Sequence, residues 1–276
     1  MCRLVDSRLA GRMTNTVFIA GGTGKTGGRV ADRLRRRDVA VRLGARSTGF
    51  DWTRPETWAD AISDADSAYV TYSPDLAVPA AAGDIARFSK IAVERGVRRF
   101  VLLSGRGEPE AADAERELFA AAPSATVLRA SWMNQNFSEG AFAPLVEAGH
   151  VTLPVGPVGE PFIDCDDIAD AAVETLLGPG HDGKVYELTG PRLLSYAEAV
   201  GEIATATGRE IAFQRIGPDE FGALLGSFGV PEPDVDLVLY LFRTLFDGRN
   251  AHLGDGVQQI LGRPPRDFRE FAATIA

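Results

Sequence analysis

Gly22, Gly24 and Gly27 read G-x-G-x-x-G, and Gly21, Gly24 and Gly27 read G-x-x-G-x-x-G, inside the stretch Ala20-Gly-Gly-Thr-Gly-Lys-Thr-Gly27. Apolar or β-prone residues, Thr16–Ala20, run straight into this turn, and a helical pattern with Val30 and Leu34 one turn apart leaves it. A strand that turns through glycines into a helix can hold a dinucleotide pyrophosphate. The glycines let the backbone bend tightly and come close to the phosphates, while the helix start offers unpaired N–H groups and the positive end of its dipole. Gly21, Gly22, Thr23, Gly24, Lys25, Thr26 and Gly27 are therefore the candidate phosphate-binding residues. Gly24-Lys25-Thr26 also ends like a triphosphate-binding loop, but that motif needs a glycine five residues earlier, where Ile19 stands in the strand.

The end of the second strand selects the dinucleotide. An acid there would bond a ribose 2′-hydroxyl and repel a 2′-phosphate. This chain has Leu43-Gly-Ala-Arg46, with no acid, and the planar fork of Arg46 suits a phosphate. The reading is NADP(H) in preference to NAD(H), with Arg42 as a second cationic candidate.

Strand and helix patterns alternate through the first half, which predicts an α/β fold with a Rossmann-type doubly wound parallel sheet. Strands are expected at Thr16–Ala20, Val39–Ala45, Phe50–Trp52, Ser67–Thr71, Arg99–Leu103 and Thr126–Leu128. Helices are expected at Thr26–Arg37, Arg54–Ile62, Pro79–Arg95 and Ala111–Ala121. Past Ala130 the chain is rich in Gly, Pro and aromatics, then mostly helical, with a capping box at Ser195-Tyr-Ala-Glu198. The division expected is a disordered extension over 1–13, a dinucleotide-binding domain of 14–130 plus about 160–190, and a smaller, mostly helical substrate-binding cap of about 131–159 plus 191–276. Ligands of such sheets lie beyond the carboxyl ends of the strands. That rule adds Thr71, Tyr72, Ser73, Pro74, Ser104 and Gly105 on the cofactor side, and Trp132, Met133, Asn134 and Phe137 on the substrate side.

The remaining composition narrows the function classes. The 276 residues carry a net charge of -9, with the basic residues dispersed, so no nucleic-acid or membrane-surface binder is expected. Two cysteines form no disulfide framework, the three histidines lack metal-ligand spacing, and no metal is expected. With no secretory leader in the first residues, the expected location is the cytoplasm. Asp164, Asp166 and Asp167 resemble a paired-acid site, but a helix N-cap is the expected role.

Five segments together resemble the NmrA-like group of atypical short-chain dehydrogenases/reductases. They are the glycine turn, Ala92-Val-Glu-Arg-Gly-Val-Arg-Arg-Phe-Val-Leu-Leu-Ser104, Thr126-Val-Leu-Arg-Ala-Ser-Trp-Met-Asn-Gln-Asn-Phe137, Pro161-Phe-Ile-Asp-Cys-Asp-Asp-Ile-Ala169 and Leu261-Gly-Arg-Pro-Pro-Arg-Asp-Phe-Arg-Glu-Phe271. The resemblance implies an NADPH-dependent quinone or benzylic-ether reductase, or a regulator that senses NADP(H) and acts through a protein partner without turnover. The chain departs from the usual short-chain chemistry: no tyrosine is followed four residues later by lysine, and Pro109–Ala122 has no lysine, only Arg116. The expectation is hydride transfer to a quinone or other planar conjugated acceptor, polyketide-like ones included, with Ser104 or Tyr72 as the candidate proton source. The partners expected are a small aromatic or quinone-like substrate, no nucleic acid and no membrane; a homodimer is compatible with the chain.

Overall fold

The computed structural model describes residues 15–140 and 142–275. The expected extension over 1–13 lies outside the described residues. The strands are β1 (Thr16–Ala20), β2 (Ala40–Gly44), β3 (Ser67–Val70), β4 (Arg99–Gly105), β5 (Thr126–Ala130), β6 (His150–Leu153), β7 (Val185–Leu188) and β8 (Ala212–Arg215). The helices of the first half are α1 (Lys25–Arg35), α2 (Trp58–Ala61), α3 (Ala81–Glu94) and α4 (Pro109–Ala121). Those of the second half are α5 (Ala143–Glu147), α6 (Cys165–Leu177), α7 (Tyr196–Thr207), α8 (Pro218–Ser227), α9 (Glu232–Leu245), α10 (Gly256–Leu261) and α11 (Phe268–Ala272).

Six strands form one sheet in the order β2-β1-β3-β4-β5-β7, and every neighbouring pair is parallel. Parallel strands covered on both faces read as continuous apolar runs, which is why Val17–Ala20 is buried without interruption. Side chains alternate between faces along β1. Val17 and Ile19 meet Val30 and Leu34 of α1 and Ile168 and Ala172 of α6. Phe18 and Ala20 meet Phe50, Trp52, Trp58 and the α3 residues Ile85 and Phe88. A third cluster, made largely of aromatics, joins Phe137, Phe142, Phe162, Tyr196, Phe242 and Phe268 above the sheet. Among the described residues no helix is long and apolar enough to cross a membrane.

Most expected elements form, with ends displaced by a few residues. The expected strand at Phe50–Trp52 does not. Gly49 turns the chain in the left-handed region (φ 89°), and the Phe50 and Trp52 rings then insert into the core in T-shaped contact at 5.1 Å. The Trp52 indole donates to the Thr71 carbonyl at 3.0 Å, so this loop is fixed by aromatic burial and one long-range bond rather than by a ladder. An isolated parallel bridge joins Met133 to Ile163. β6 and β8, absent from the expectations, pair with each other in parallel outside the main sheet. The Ser195 capping box is present: Ser195 Oγ accepts from the Glu198 amide at 3.2 Å, and the Ser195 amide donates to the Glu198 carboxylate at 2.8 Å.

Candidate active site

From β1 the sheet extends to β2 on one side and to β3 on the other, so the strand order reverses at the carboxyl end of β1, where a crevice opens. Gly21 takes the chain out of β1 with φ +70°, its amide bonded to the Gly44 carbonyl at 2.8 Å, and the Gly24 amide then donates back to the Gly21 carbonyl at 2.8 Å. A Cβ on Gly27 would collide with that same Gly21 carbonyl, so α1 can approach the turn only with glycine there. Gly24 is the N-cap of α1 and offers no side chain to its amides, and no acid stands in the first turn. These uncapped N–H groups at the positive helix end fit an anionic pyrophosphate.

The turn opens into a cavity of about 970 Å³. Gly21, Thr23, Gly24, Lys25 and Thr26 line it beside β1; Arg46 lines it beyond β2; Thr71, Tyr72, Ser73 and Pro74 beyond β3; Ser104 and Gly105 at the end of β4. Trp132 and Met133 line the far end, joined by Leu241 and Leu245 of α9. Gly22 and Gly27 stand behind this surface and shape the turn rather than face the cavity. Arg42 points away, its guanidinium bonded to the carbonyl and hydroxyl of Ser63.

Two expected substrate residues do not reach the cavity. Asn134 is fully buried and turned toward Asp164, and Phe137 is packed inside the aromatic cluster. Asn134 and Gln135 instead stitch their loop to the start of α6: Gln135 Nε2 donates to Asp164 at 3.0 Å, and Gln135 Oε1 accepts the Cys165 amide at 2.8 Å. Asp164 caps that helix, accepting the Asp166 amide at 2.7 Å. Asn136, which follows Asn134 and Gln135, does line the cavity with Trp132 and Met133, and its Oδ1 accepts from Lys25 Nζ at 2.6 Å. Burial holds the Lys25 amine below its usual range.

The two expected proton sources are both engaged. Tyr72 donates to Asp84 at 2.6 Å, and burial together with that carboxylate raises its pKa, so losing the phenolic proton is disfavoured. Ser104 donates to Glu115 at 2.6 Å, and Glu115 is held by Arg129 through bonds of 2.6–3.1 Å. Acids that the sequence reading did not select also line the cavity: Asp75 after β3, Glu108 after β4, and Glu160, with Asp51 and Asp234. Glu160 is 1% exposed and accepts the Trp132 amide at 3.1 Å; burial raises it to about 7 against the partial opposition of that bond and of Arg106. The Arg106 guanidinium is itself held by Glu187 and by the Asn250 and His252 carbonyls. The sequence signal for Asp75 and Glu108 was only their place just past strand ends; for Glu160 there was none.

No family model matches the chain. It is 30% identical over 275 residues to the uncharacterized oxidoreductase YesF of Bacillus subtilis, covering 95% of this chain and 96% of that protein. It is also 30% identical over 283 residues to the agroclavine dehydrogenase of Claviceps fusiformis, covering 94% and 96%. Among solved structures, the triphenylmethane reductase of Citrobacter sp. complexed with NADP(H) aligns with a TM-score of 0.75 at 18% identity, covering 95% of this chain and 100% of that one. The NADPH-dependent quinone oxidoreductase QOR2 of Escherichia coli, complexed with NADPH, aligns with a TM-score of 0.75 at 20% identity, covering 94% and 99%. The chain belongs to the NmrA-like atypical short-chain dehydrogenases/reductases and is an NAD(P)H-dependent oxidoreductase.

Proposed function

We propose that this protein is an NADPH-dependent reductase that delivers hydride to a quinone or another planar conjugated acceptor. The observation that carries the reading is the single cavity running from Arg46, past the glycine turn and the ends of β3 and β4, to the apolar wall of Trp132, Met133, Leu241 and Leu245. In this reading the amides of Gly21–Thr26 hold the pyrophosphate, with Gly22 and Gly27 shaping the turn. Arg46 pairs with the 2′-phosphate. Thr71–Pro74, Ser104 and Gly105 flank the nicotinamide, and Trp132 and Met133 hold the acceptor against it. Bound there, a reduced nicotinamide supplies hydride; the chain's part is to hold two rings at close range and exclude water between them. The named neighbours that act on quinones and triphenylmethanes support a flat, electron-poor acceptor.

A second reading, an NADP(H) sensor without turnover, is favoured by the commitment of Tyr72 to Asp84 and of Ser104 to Glu115. One experiment separates the two. NADPH oxidation is followed by absorbance across quinones, enones and azo compounds, beside binding titrations of NADPH and NADH. Turnover establishes the reductase and ranks its acceptors. Tight NADPH binding with no turnover anywhere in the panel refutes the reductase and leaves the sensor.

A further inference from the structure

We infer that Asp75 and Glu108 share one proton beside the acceptor and that this carboxyl pair protonates neutral acceptors, in place of the missing tyrosine–lysine couple. The inference rests on the reductase reading above. Asp75 lies in the loop after β3, with Oδ1 fixed by the Ala77 amide at 2.8 Å. Glu108 is the residue before α4, and its carboxyl lies over Gly105 at the end of β4, where any Cβ would strike it. Glycine at that strand end therefore leaves room for the acid. Both acids line the cavity, within reach of each other's charge, and two carboxyls so placed repel when both are ionised, so the state with one proton between them is favoured.

A second observation points to a ligand at the same place. Gly105 pairs with Ala130, and the next residue on that neighbouring strand is Ser131, which lines the cavity. Ser131 is 5% exposed and its hydroxyl has no hydrogen-bond partner. A buried hydroxyl without a partner beside a cavity is costly unless a bound molecule completes it. It is suited to the oxygen or nitrogen on which charge develops.

The surroundings keep the pair protonated. Burial, then the charge of Asp75, push Glu108 up to about 8, and Asp75 is raised in turn, chiefly by burial. Glu110 and Glu115 add negative charge from α4; Glu110 accepts from Tyr240 of α9, and Glu115 is held by Arg129 of β5. From the turn after α9, Arg249 is paired with Asp247 and bonded to the Gly107 carbonyl. Among the described residues no arginine or lysine bonds to Asp75 or Glu108.

In the reaction, a reduced nicotinamide held beside the glycine turn would supply hydride, whose electron pair makes the new bond to hydrogen at a carbon, oxygen or nitrogen of the acceptor. Charge passes to the acceptor's oxygen or nitrogen, the carboxyl O–H bond breaks, and an O–H or N–H bond forms there. Two carboxylates remain until solvent returns the proton. A cationic acceptor needs no such proton, because hydride discharges it.

The test uses the full chain with NADPH and two acceptors, a neutral quinone and a cationic triarylmethane dye, for wild type, Glu108→Gln and Asp75→Asn. With the quinone, wild-type kcat is expected to fall as pH rises through about 8. Glu108→Gln should lower it about 100-fold and remove that limb. The loss on the dye should be at least roughly tenfold smaller, and the NADPH dissociation constant should not move. Equal losses on both acceptors, or an unchanged pH limb, overturn the proton role while leaving the reductase standing. A wild type that oxidises NADPH with neither acceptor overturns both. Infrared titration of the cofactor-free protein tests the shared proton without turnover: a protonated carboxyl band at neutral pH should titrate near 8 and vanish in Glu108→Gln. No such band overturns the inference.

Discussion

Arg46 stands exposed on the cavity rim just beyond β2, with Asp51 as its acidic neighbour, while Arg42 is anchored to Ser63. If Arg46 pairs with a 2′-phosphate, its loss removes a charge-assisted contact that only one of the two dinucleotides makes. Arg46→Ala should raise the NADPH dissociation constant about 10- to 100-fold and leave that of NADH nearly unchanged, read by nucleotide fluorescence. Equal weakening would take Arg46 out of that role. Glu160 offers a test of a different kind. Its folded pKa is raised to about 7 from 4.5, so the folded state binds the proton more tightly than the unfolded chain does. The stability this confers is complete below about 4.5 and is lost as pH rises through about 7. Glu160→Gln should abolish about 3 kcal/mol of the wild type's decline over that window. Urea midpoints at pH 5 and pH 8 that move in parallel for both proteins would show that Glu160 does not carry this proton.

The β1–turn–α1 element separates shape from contact. A Cβ at Gly24 meets only the Gly21 carbonyl, at 3.2 Å, and the rest of the side chain would enter the cavity. Gly24→Val should cost only about 1 kcal/mol yet abolish dinucleotide binding. Gly27→Ala meets backbone directly and should destabilise the protein by about 1–3 kcal/mol. Circular dichroism melts beside NADPH titrations check both; undiminished binding by Gly24→Val would mean the turn does not hold the dinucleotide. This element was legible in the sequence because every signal in it is local: apolar run, glycine spacing and helix period occupy consecutive residues. The Ser195 capping box was legible for the same reason. β6 and β8 were not, since a parallel pair is specified by residues some sixty positions apart, His150 against Ala212. Nor was the acid pair, because Asp75 and Glu108 sit in separate loops that meet only when β3 and β4 lie side by side. Asn134 and Phe137 were misplaced because one apolar or amide residue in a loop does not reveal which way it faces.

At the scale of the molecule, α6 ties the sheet to the C-terminal segment through carboxylates. Asp166 and Asp170 pair with Arg33 of α1, and Asp170 also pairs with Arg263 and Arg266. Asp167, fully buried, accepts from both of those arginines and from the Arg266 amide at 2.7 Å. The segment that follows supplies Phe268 and Phe271 to the aromatic cluster against which Trp132 packs. Breaking a fully buried pair costs about 3–5 kcal/mol when a charge is stranded. Here the arginines are about a third exposed and keep Asp170, so water and that carboxylate compensate in part. Asp167→Ala should therefore cost about 2 kcal/mol, read from the urea midpoint. Because the loosened segment supports the acceptor wall and not the phosphate turn, the KM for the acceptor should rise while the NADPH dissociation constant holds. A parallel loss of both would mean that this network braces the whole cavity rather than its acceptor end.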